Sequence, residues 1–233
     1  MLDPKEERQY EQLRKLAQGL HIPIPEAFWT FEVFDRNGKL IQRHRQRSHS
    51  WVRNAYNHLV TQLMAINAGD SPFGAGKINI KNTAGALIDY DFYITCTHLG
   101  DPEDVGKAYR GAAGVDTSGI QVGSGTNAES LEDYKLQTQI ANGAGAGQLS
   151  HTEGDPPVKG YSAPVYSVQH VRYFNNNSGG AVDVNEVGIV CSGAVGATFQ
   201  KWLQAHDKLP ATVSVPDTGQ LKVTYTLQLT YPA

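Results

Sequence analysis

The stretch from Leu221 to Tyr231 reads LKVTYTLQLTY, and it decides the fold class of this chain. Large apolar side chains occupy every second position, and lysine, threonine or glutamine fills each position between them. Successive side chains of a β-strand point to opposite faces, so this alternation predicts a long strand with one apolar face. Such a face needs a second layer to cover it. The stretch therefore predicts a mostly β protein, an antiparallel, jelly-roll-like β-sandwich closed by its own C-terminal strand.

The composition favours the same class. Charged residues make up 18% of the 233 residues, and 24 residues are glycine, which is typical of a turn-rich β protein. The net charge is 20 − 23 = −3, so no general positive field attracts nucleic acid or anionic lipid. We see neither a signal-peptide pattern nor a long apolar run, and we expect a soluble protein without nucleic-acid or membrane partners.

An N-terminal helical arm and linker over residues 1–25 are predicted to precede a sandwich domain over residues 26–233. Asp3 is a suitable N-cap, Pro4 suits the first helical position, and Gly19 suits the end. One narrow stripe of this helix is apolar and consists of Tyr10, Leu13, Leu16 and Leu20. A helix with so narrow a stripe needs a docking surface, on its own domain or on a neighbouring subunit.

A β-hairpin is predicted next, from Ala27–Phe34 through an Asn-Gly turn to Lys39–Arg45. Basic side chains concentrate at its end, and we expect them either to pair with an acidic surface of a partner or to remain solvated. These basic residues are Arg43, Arg45 and Arg47.

One internal helix is predicted over Trp51–Asn67, with Ser50 as its cap and its apolar side packed on the sheet. That side consists of Val52, Ala55, Tyr56, Leu59, Val60, Leu63 and Ile66. Further along, Tyr161–Phe174 reads as one long strand, and Phe199–His206 reads as strand or helix.

No motif predicts catalysis. Gly123–Thr126 lacks the lysine of a phosphate loop and is interpreted as a tight turn that uses glycine for unusual backbone angles. The histidines do not show metal-ligand spacing, and no Gly-x-Ser-x-Gly elbow occurs. Cys96 and Cys191 are interpreted as buried small residues, although a disulfide between them stays open. We therefore expect no catalytic residue, no metal and no cofactor.

Several stretches in a fixed order resemble structural proteins of tailed-bacteriophage virions. The pattern is Gly-x-Gly-Thr, a short Asp-x-x-Leu segment, an aromatic strand with an asparagine turn, a Glu-x-Gly strand and a Leu-x-Val-x-Tyr-x-Leu end. The stretches are Ser48–Leu59, Ile120–Leu149 with Val122–Thr126 and Asp133–Leu136, Val171–Asn175, Val184–Ile189 and Gln220–Leu229. One departure is Phe199–Asp207, which is more polar than the corresponding strand of that family.

The resemblance implies a β-sandwich without an active site, and a non-enzymatic role in the virion, on the capsid exterior or in the tail. The expected partners are copies of this chain, as a homo-oligomer, and other virion proteins. The alternative is a carbohydrate- or receptor-binding module for a host-surface glycan, with Tyr109, Tyr161 and Trp202 as candidate stacking residues. A third alternative is an enzyme, which would need a cleft with convergent polar groups.

Overall fold

The structure, a computed structural model, describes residues 2–64, 80–88, 94–96, 101, 103–195 and 198–231. Within these residues the chain forms two helices, α1 (Pro4–Leu20) and α2 (Arg53–Met64), neither of which is long and apolar enough to cross a lipid bilayer. The strands in the same residues are β1 (Ile24–Phe34), β2 (Leu40–Arg47), β3 (Ile80–Lys81), β4 (Leu87–Ile88), β5 (Ile94–Thr95), β6 (Gly119–Gly123), β7 (Ser150–His151), β8 (Val158–Ser162), β9 (Val165–Asn175), β10 (Val182–Val195), β11 (Thr198–Val215) and β12 (Gln220–Thr230).

Two antiparallel sheets enclose one main apolar core. The first sheet has the order β2-β1-β12-β9-β7, with β8 also paired to β9. The second has the order β11-β10-β5, with β6 also paired to β10. Buried side chains from β1 and β12 of the first sheet and from β6, β10 and β11 of the second share this core. The prediction of a mostly β, antiparallel sandwich with two helices is confirmed.

Strand β12 lies in the middle of the first sheet, paired along its whole length with β1 on one side and β9 on the other. Leu221, Val223 and Tyr225 are buried in the core, as the alternation predicts. Leu227 and Leu229, on the same face, are only partly buried. The second layer therefore covers the first half of this strand, and the apolar face of the second half stays partly open.

Helix α1 begins as predicted, with the Asp3 carboxylate accepting a hydrogen bond from the backbone N–H of Lys5 at 2.9 Å. The helix ends at Leu20, but the left-handed residue that closes it is His21, with a φ of 56°, and not Gly19. Three residues later Ile24 is already paired in β1, so the end of the predicted linker belongs to the sheet.

The predicted hairpin is confirmed as β1 and β2. The Asp35 carboxylate accepts hydrogen bonds from the backbone N–H groups of Asn37 at 2.8 Å and Lys39 at 2.9 Å. Gly38 has a φ of 74°, which a residue with a side chain rarely adopts. Local hydrogen bonds and a glycine backbone angle thus account for the turn of this hairpin.

Helix α2 is confirmed, but its orientation differs from the prediction. The predicted start at Trp51 with Ser50 as cap is wrong, because Trp51 forms a β-bridge with Ala205 and the helix begins at Arg53. The predicted end at Asn67 lies outside the described residues. The buried positions are polar, and much of the predicted apolar side is exposed. Asn54, Asn57 and Thr61 are buried, whereas Tyr56, Leu59 and Leu63 are 47%, 45% and 76% exposed.

The side chain of Asn54 explains this orientation. Its Nδ2 donates to the carbonyl oxygens of Lys81 at 2.8 Å and Leu203 at 3.2 Å, and its Oδ1 accepts from the N–H of Lys81 at 2.9 Å. Buried backbone groups must be hydrogen-bonded, and this amide satisfies groups on β3 and β11 at once. Polar bonding to strand backbone therefore orients α2, together with the packing of Val60 against the apolar cluster that contains Ile80 and Trp202.

Two strand predictions are refined. The stretch Tyr161–Phe174 is divided between β8 and β9, because Ala163 and Pro164 form a turn at which the chain reverses. The stretch Phe199–His206 is strand and not helix, since it lies within β11 and pairs with β10.

Of the two possibilities that the sequence left open for the cysteines, unpaired buried residues or a disulfide, the structure shows the disulfide. Cys96 and Cys191 form a disulfide, with their Cα atoms 6.4 Å apart. Cys96 follows β5 directly, and the pairing of Thr95 with Ala194 brings that strand alongside β10. Sheet pairing between segments distant in sequence places the two thiols together, which spacing alone could not reveal.

Candidate interaction surface on helix α1

A buried charge cluster anchors α1 to the outer face of the first sheet. The Arg47 guanidinium, on β2, is 1% exposed and donates to the carboxylates of Glu26 on β1 and Glu7 on α1. The ring of Tyr10 packs against the same guanidinium, 3.6 Å from ring centroid to Cζ. A planar, always charged guanidinium suits such combined pairing and stacking. The helix is therefore held by polar contacts on one face.

Glu26 completes the anchor from the strand side. Its two carboxylate oxygens accept from Nε and Nη2 of Arg14 at 2.8 and 2.9 Å, in addition to Arg47. Burial alone would raise the pKa of Glu26, but hydrogen bonds from Arg14 and Arg47 outweigh burial and lower it. The carboxylate thus stays ionised between two arginines, one from the helix and one from the sheet.

The anchor turns the leucines of α1 outward. Leu13, Leu16 and Leu20 are 46%, 61% and 58% exposed. At 3.6 residues per turn these three positions lie about a quarter turn around the helix from the face that carries Glu7, Tyr10, Arg14 and Ala17. We call these three side chains the leucine face. It forms an exposed apolar strip on a helix that is otherwise docked.

The residues predicted to contact a partner subunit therefore fall into two groups, one exposed and one occupied by contacts inside the chain. Arg43 and Arg45 are exposed on the outer face of the edge strand β2, where Arg43 pairs with Glu32 at 3.5 Å and Arg45 lies over the Phe28 ring at 4.8 Å. Tyr10 and Arg47 instead form contacts inside the chain, as described above. The prediction that Arg47 faces a partner is corrected, because its guanidinium is enclosed by the chain's own carboxylates.

A second exposed group consists of aromatic side chains at the β8–β9 turn. Tyr161 and Tyr166 have ring centroids 4.9 Å apart, and Tyr231 lies 6.0 Å from Tyr166. All three are exposed. Of the other predicted stacking residues, Trp202 is buried and Tyr109 packs against the core. We call Tyr161, Tyr166 and Tyr231 the tyrosine cluster.

A buried carboxylate–imidazole–carboxylate arrangement was missed by the sequence reasoning. His206 on β11 contacts Asp133 through Nδ1 at 2.7 Å and Glu186 through Nε2 at 2.8 Å. Glu186 also accepts from the backbone N–H groups of Gly125, Gln137 and Thr138. In the described part of the chain, no group of three or more His, Cys, Asp or Glu side chains could hold a metal. The arrangement instead fixes the loop after β6 against β10 and β11.

The same carboxylate explains the Gly-x-Gly motif. A Cβ on Gly123 or Gly125 would lie 2.4 or 2.5 Å from Oε1 of Glu186. Neither glycine has a positive φ. The interpretation as unusual backbone angles is therefore wrong, and close approach to Glu186 is the reason for glycine here.

Arg172 is a second buried residue that composition could not single out. Burial lowers the pKa of its guanidinium to about 10, and that group lies among main-chain oxygens. It donates to the carbonyls of Ala112, Val115, Ser118, Ile120 and Thr152. One side chain thereby holds the irregular segment before β6 against β9.

Comparison with protein-family models, with curated proteins and with solved structures gave no match to this chain. The function is therefore argued from the residues and the geometry described above.

Proposed function

We propose that this chain is a non-enzymatic structural component of a tailed-phage virion, located on the capsid exterior or in the tail. It assembles with copies of itself and with other virion proteins. The ordered motifs between Ser48 and Leu229 support the virion assignment through their resemblance to that class. A sandwich whose ordered loops are fixed by buried polar groups such as Arg172 and Glu186 is suited to a particle component.

The leucine face is the observation that carries the assembly part of the proposal. An amphipathic helix in a single globular domain normally turns its large apolar side chains inward. Here Leu13, Leu16 and Leu20 are presented outward while ion pairs hold the helix in place. Burying such a strip against another subunit removes apolar area from water, at about 25 cal/mol for each Å².

Three leucines do not make a whole interface. A stable interface between subunits buries about 800 Å² on each partner. The exposed arginines of the edge strand, Arg43 and Arg45, extend the surface and favour an acidic partner region at its rim. We therefore propose that the leucine face forms the apolar centre and the outer face of β2 forms part of the rim.

The test is the oligomeric state of a variant with Leu13→Gln, Leu16→Gln and Leu20→Gln, measured by light scattering after size exclusion. The matched control is Leu87→Gln with Leu131→Gln, which alters leucines that are 48% and 49% exposed elsewhere. We expect the unaltered chain and the control to be oligomers and the triple variant to be a folded monomer. A monomeric unaltered chain, or a triple variant that keeps the oligomer, would contradict the proposal.

The virion assignment has its own test, which is mass spectrometry of intact particles purified from producing cells. We expect the unaltered chain and the control in the particles, and loss of the triple variant from them. Absence of the unaltered chain from purified particles would refute the virion assignment and leave self-assembly to be judged on its own measurement.

The tyrosine cluster supports the alternative, a module that binds a host-surface glycan. Exposed tyrosine rings stack on the apolar faces of sugars, and Tyr161 is 61% exposed beside Tyr166. A glycan array probed with the unaltered chain and with Tyr161→Ala tests this. The alternative predicts hits that the variant loses, and an array without hits above background would exclude it.

A further inference from the structure

Strand β2 is an open edge of the first sheet, because it pairs with β1 on one side and with no other strand among the described residues. It is regular from Gln42 onward, after a bulge that leaves Ile41 outside the register. Helix α1 covers its end, since the side chains of that helix enclose Arg47. The open part of the edge therefore runs from Gln42 to Arg45.

The strand register decides which backbone groups of β2 point outward along this edge. In an antiparallel ladder, every second residue exchanges hydrogen bonds with the same neighbouring strand. Ser48 donates its N–H to the carbonyl oxygen of Ala27 at 2.9 Å, so His44, four positions earlier, also bonds to β1. Arg43 and Arg45 lie at the positions between and direct their N–H and C=O groups away from β1. Within the described part of the chain, no hydrogen bond from another segment reaches these groups.

The adjacent edge of the second sheet, formed by β11, is covered by the chain itself. The Gln46 side chain donates to the carbonyl oxygen of Lys208 at 3.2 Å, and the Glu129 carboxylate accepts from the N–H of Lys208 at 2.7 Å. Two positions later, Pro210 has no N–H to offer. Proteins block open edges in such ways because unpaired backbone groups promote association. The backbone of β2 is left open where that of β11 is blocked.

A groove of about 510 Å³ gives access to the edge of β2. The start of α1 forms one wall, and the other walls are His44, Arg45 and Gln46 of β2 and Lys208, Leu209 and Pro210 of β11. Consecutive residues of a strand point to opposite faces of its sheet, so a groove lined by three of them lies beside the strand and not over one face. This is the position that an additional strand would occupy.

The charges exposed along the hairpin of β1 and β2 are mostly positive. The exposed cations are Arg36, Lys39, Arg43 and Arg45. The Asp35 carboxylate is occupied by backbone N–H groups of the turn, and Glu32 already pairs with Arg43 at 3.5 Å. The acidic residues that line the groove also contact groups of this chain, and they are Asp3, Glu6 and Glu129. A segment that docks here meets a surplus of positive charge, which favours an acidic partner.

A second copy of this edge does not suit the site. Antiparallel pairing of two β2 strands would bring Arg43 and Arg45 of one copy beside those of the other, and like charges in directly opposite positions are destabilising. A strand with acidic side chains places carboxylates beside the same guanidinium groups. The charge of the edge thus selects against self-pairing and for an acidic strand.

We infer that the open edge of β2 binds an extended acidic segment of another protein, which adds to the first sheet as a further strand. The backbone groups of Arg43 and Arg45 form its hydrogen bonds, and their guanidinium groups pair with carboxylates at every second position of the segment. This rests on the proposed function, because it specifies the acidic partner region at the rim of the interface. The leucine face takes no part in it.

The probe is the peptide acetyl-EVEVEVE-amide, which carries a carboxylate at every second position. Acetyl-KVKVKVK-amide reverses the charge. An ester analogue of the acidic peptide keeps the charge but has oxygen in place of its central backbone N–H groups. Each peptide is titrated into the unaltered chain and into the triple leucine variant, because the proposed oligomer brings a neighbouring subunit close to this edge.

Binding and its location are both measured by amide hydrogen exchange in proton–nitrogen correlation spectra. We expect the acidic peptide to bind saturably and to slow exchange at the N–H groups of Arg43 and Arg45. Exchange at His44 should not change, since its N–H already bonds to β1. We expect the ester analogue to bind about fivefold more weakly, the ratio for loss of one backbone hydrogen bond. The lysine peptide should not bind.

Two variants complete the test. Arg45→Pro removes an outward-facing N–H and leaves the ladder to β1 intact, so we expect the acidic peptide to bind about fivefold more weakly. Arg43→Gln with Arg45→Gln keeps the backbone and removes both cations, and it serves if the proline variant does not fold. We expect about fivefold weaker binding there as well. The matched control is Lys135→Gln with Lys159→Gln, which removes two exposed cations elsewhere and should leave binding unchanged.

Three results would overturn the inference. The first is the absence of saturable binding of the acidic peptide to both forms of the chain. The second is equal affinity for the acidic peptide and for either matched peptide. The third is binding that leaves exchange at Arg43 and Arg45 unchanged, or that keeps its full strength when both arginines are replaced. A monomeric unaltered chain would refute self-assembly through the leucine face and would leave these three criteria as they are.

Discussion

The Glu186 carboxylate on β10 lies 2.8 Å from the His206 imidazole on β11, measured from Oε2 to Nε2. Both residues are buried. The pair joins adjacent strands of the second sheet, and Glu186 extends the connection to the loop that follows β6 through three backbone N–H groups. The free energy of unfolding should therefore depend on pH through the Glu186–His206 pair.

The first prediction concerns that link. Burial alone would lower the pKa of His206, but hydrogen bonds to Glu186 and Asp133 outweigh burial and raise it. A raised pKa means that the imidazolium stabilises the folded state below its ordinary pKa and that this stabilisation is lost as pH rises through the folded-state pKa. Burial would likewise raise the pKa of Glu186, but His206 and backbone N–H groups lower it, so its contribution is lost as pH falls through its lowered pKa. The contribution of the pair is largest between about pH 4.5 and pH 6.5.

Urea unfolding at several pH values checks this in the unaltered chain and in His206→Gln. We expect the free energy of unfolding of the unaltered chain to fall as pH rises above about 6.5, and to fall by more than that of the variant. Burial lowers the pKa values of His151 and His170 to about 4, which gives the opposite pH dependence, so only the difference between the two proteins isolates His206. If the free energy of unfolding changed equally with pH in the two proteins, the Glu186–His206 pair would not be the source of the pH dependence.

The second prediction concerns Gly125. In Gly125→Ala the new Cβ would lie 2.5 Å from Oε1 of Glu186, so the loop or the carboxylate must move. We expect a loss of about 1–3 kcal/mol in the free energy of unfolding, as in other overpacked sites. Gly180→Ala is the control, because a Cβ there meets nothing within 4 Å. Equal stability of the two variants would argue against the close-approach explanation of the motif.

The third prediction concerns the anchor of α1. Arg47→Leu removes the buried cation between Glu26 and Glu7 and leaves Glu26 with Arg14 as its remaining arginine partner. Breaking a buried ion pair in this way destabilises a protein by about 3–5 kcal/mol. We also expect α1 to become accessible to limited proteolysis.

The control for the anchor is Arg43→Ala. This side chain is 64% exposed, and its pair with Glu32 spans 3.5 Å. We expect the free energy of unfolding to change by no more than about 0.5 kcal/mol, as for other surface ion pairs.

Deleting residues 1–22 would remove Glu7 and Arg14 together with the leucines, so we expect it to destabilise the domain as well as the assembly. If α1 of the Arg47→Leu variant resisted limited proteolysis as well as α1 of the unaltered chain does, the proposed role of Arg47 as the anchor of this helix would be contradicted.

The fourth prediction concerns the disulfide. Cys96 and Cys191 are 95 residues apart, and a cross-link of a loop of that length stabilises the folded state by about 4–5 kcal/mol in the chain-entropy description. We expect a reductant to lower the unfolding temperature of the unaltered chain and to leave a Cys96→Ala, Cys191→Ala double variant unchanged. Free-thiol labelling of the unfolded, unreduced chain checks the bond directly, and two reactive thiols would disprove it.

The sequence by itself determined the features that depend on neighbouring residues. The alternation from Leu221 to Tyr231 predicts a strand because side chains of a strand alternate between faces. The Asp3 cap of α1 and the Asn37-Gly38 turn follow from local hydrogen bonds and backbone angles. The sequence shows that the leucines of α1 lie on one stripe of the helix. It does not show whether that stripe docks on the chain's own domain or stays exposed for a neighbouring subunit.

The tertiary structure alone decided everything that depends on residues distant in the chain. Arg47 looks like one more surface charge in a basic run until Glu7 and Glu26 enclose it. Asn54 lies on the polar side of α2, yet that side is buried because strand backbone needs its amide. The pairing of His206 with Glu186 and of Cys96 with Cys191 arises from strand register, which no local pattern encodes. Hydrogen bonds and ion pairs between residues distant in the chain thus determine which faces of the helices and strands are buried. A polar group is buried at low cost only where the fold places a hydrogen-bond or ion-pair partner beside it.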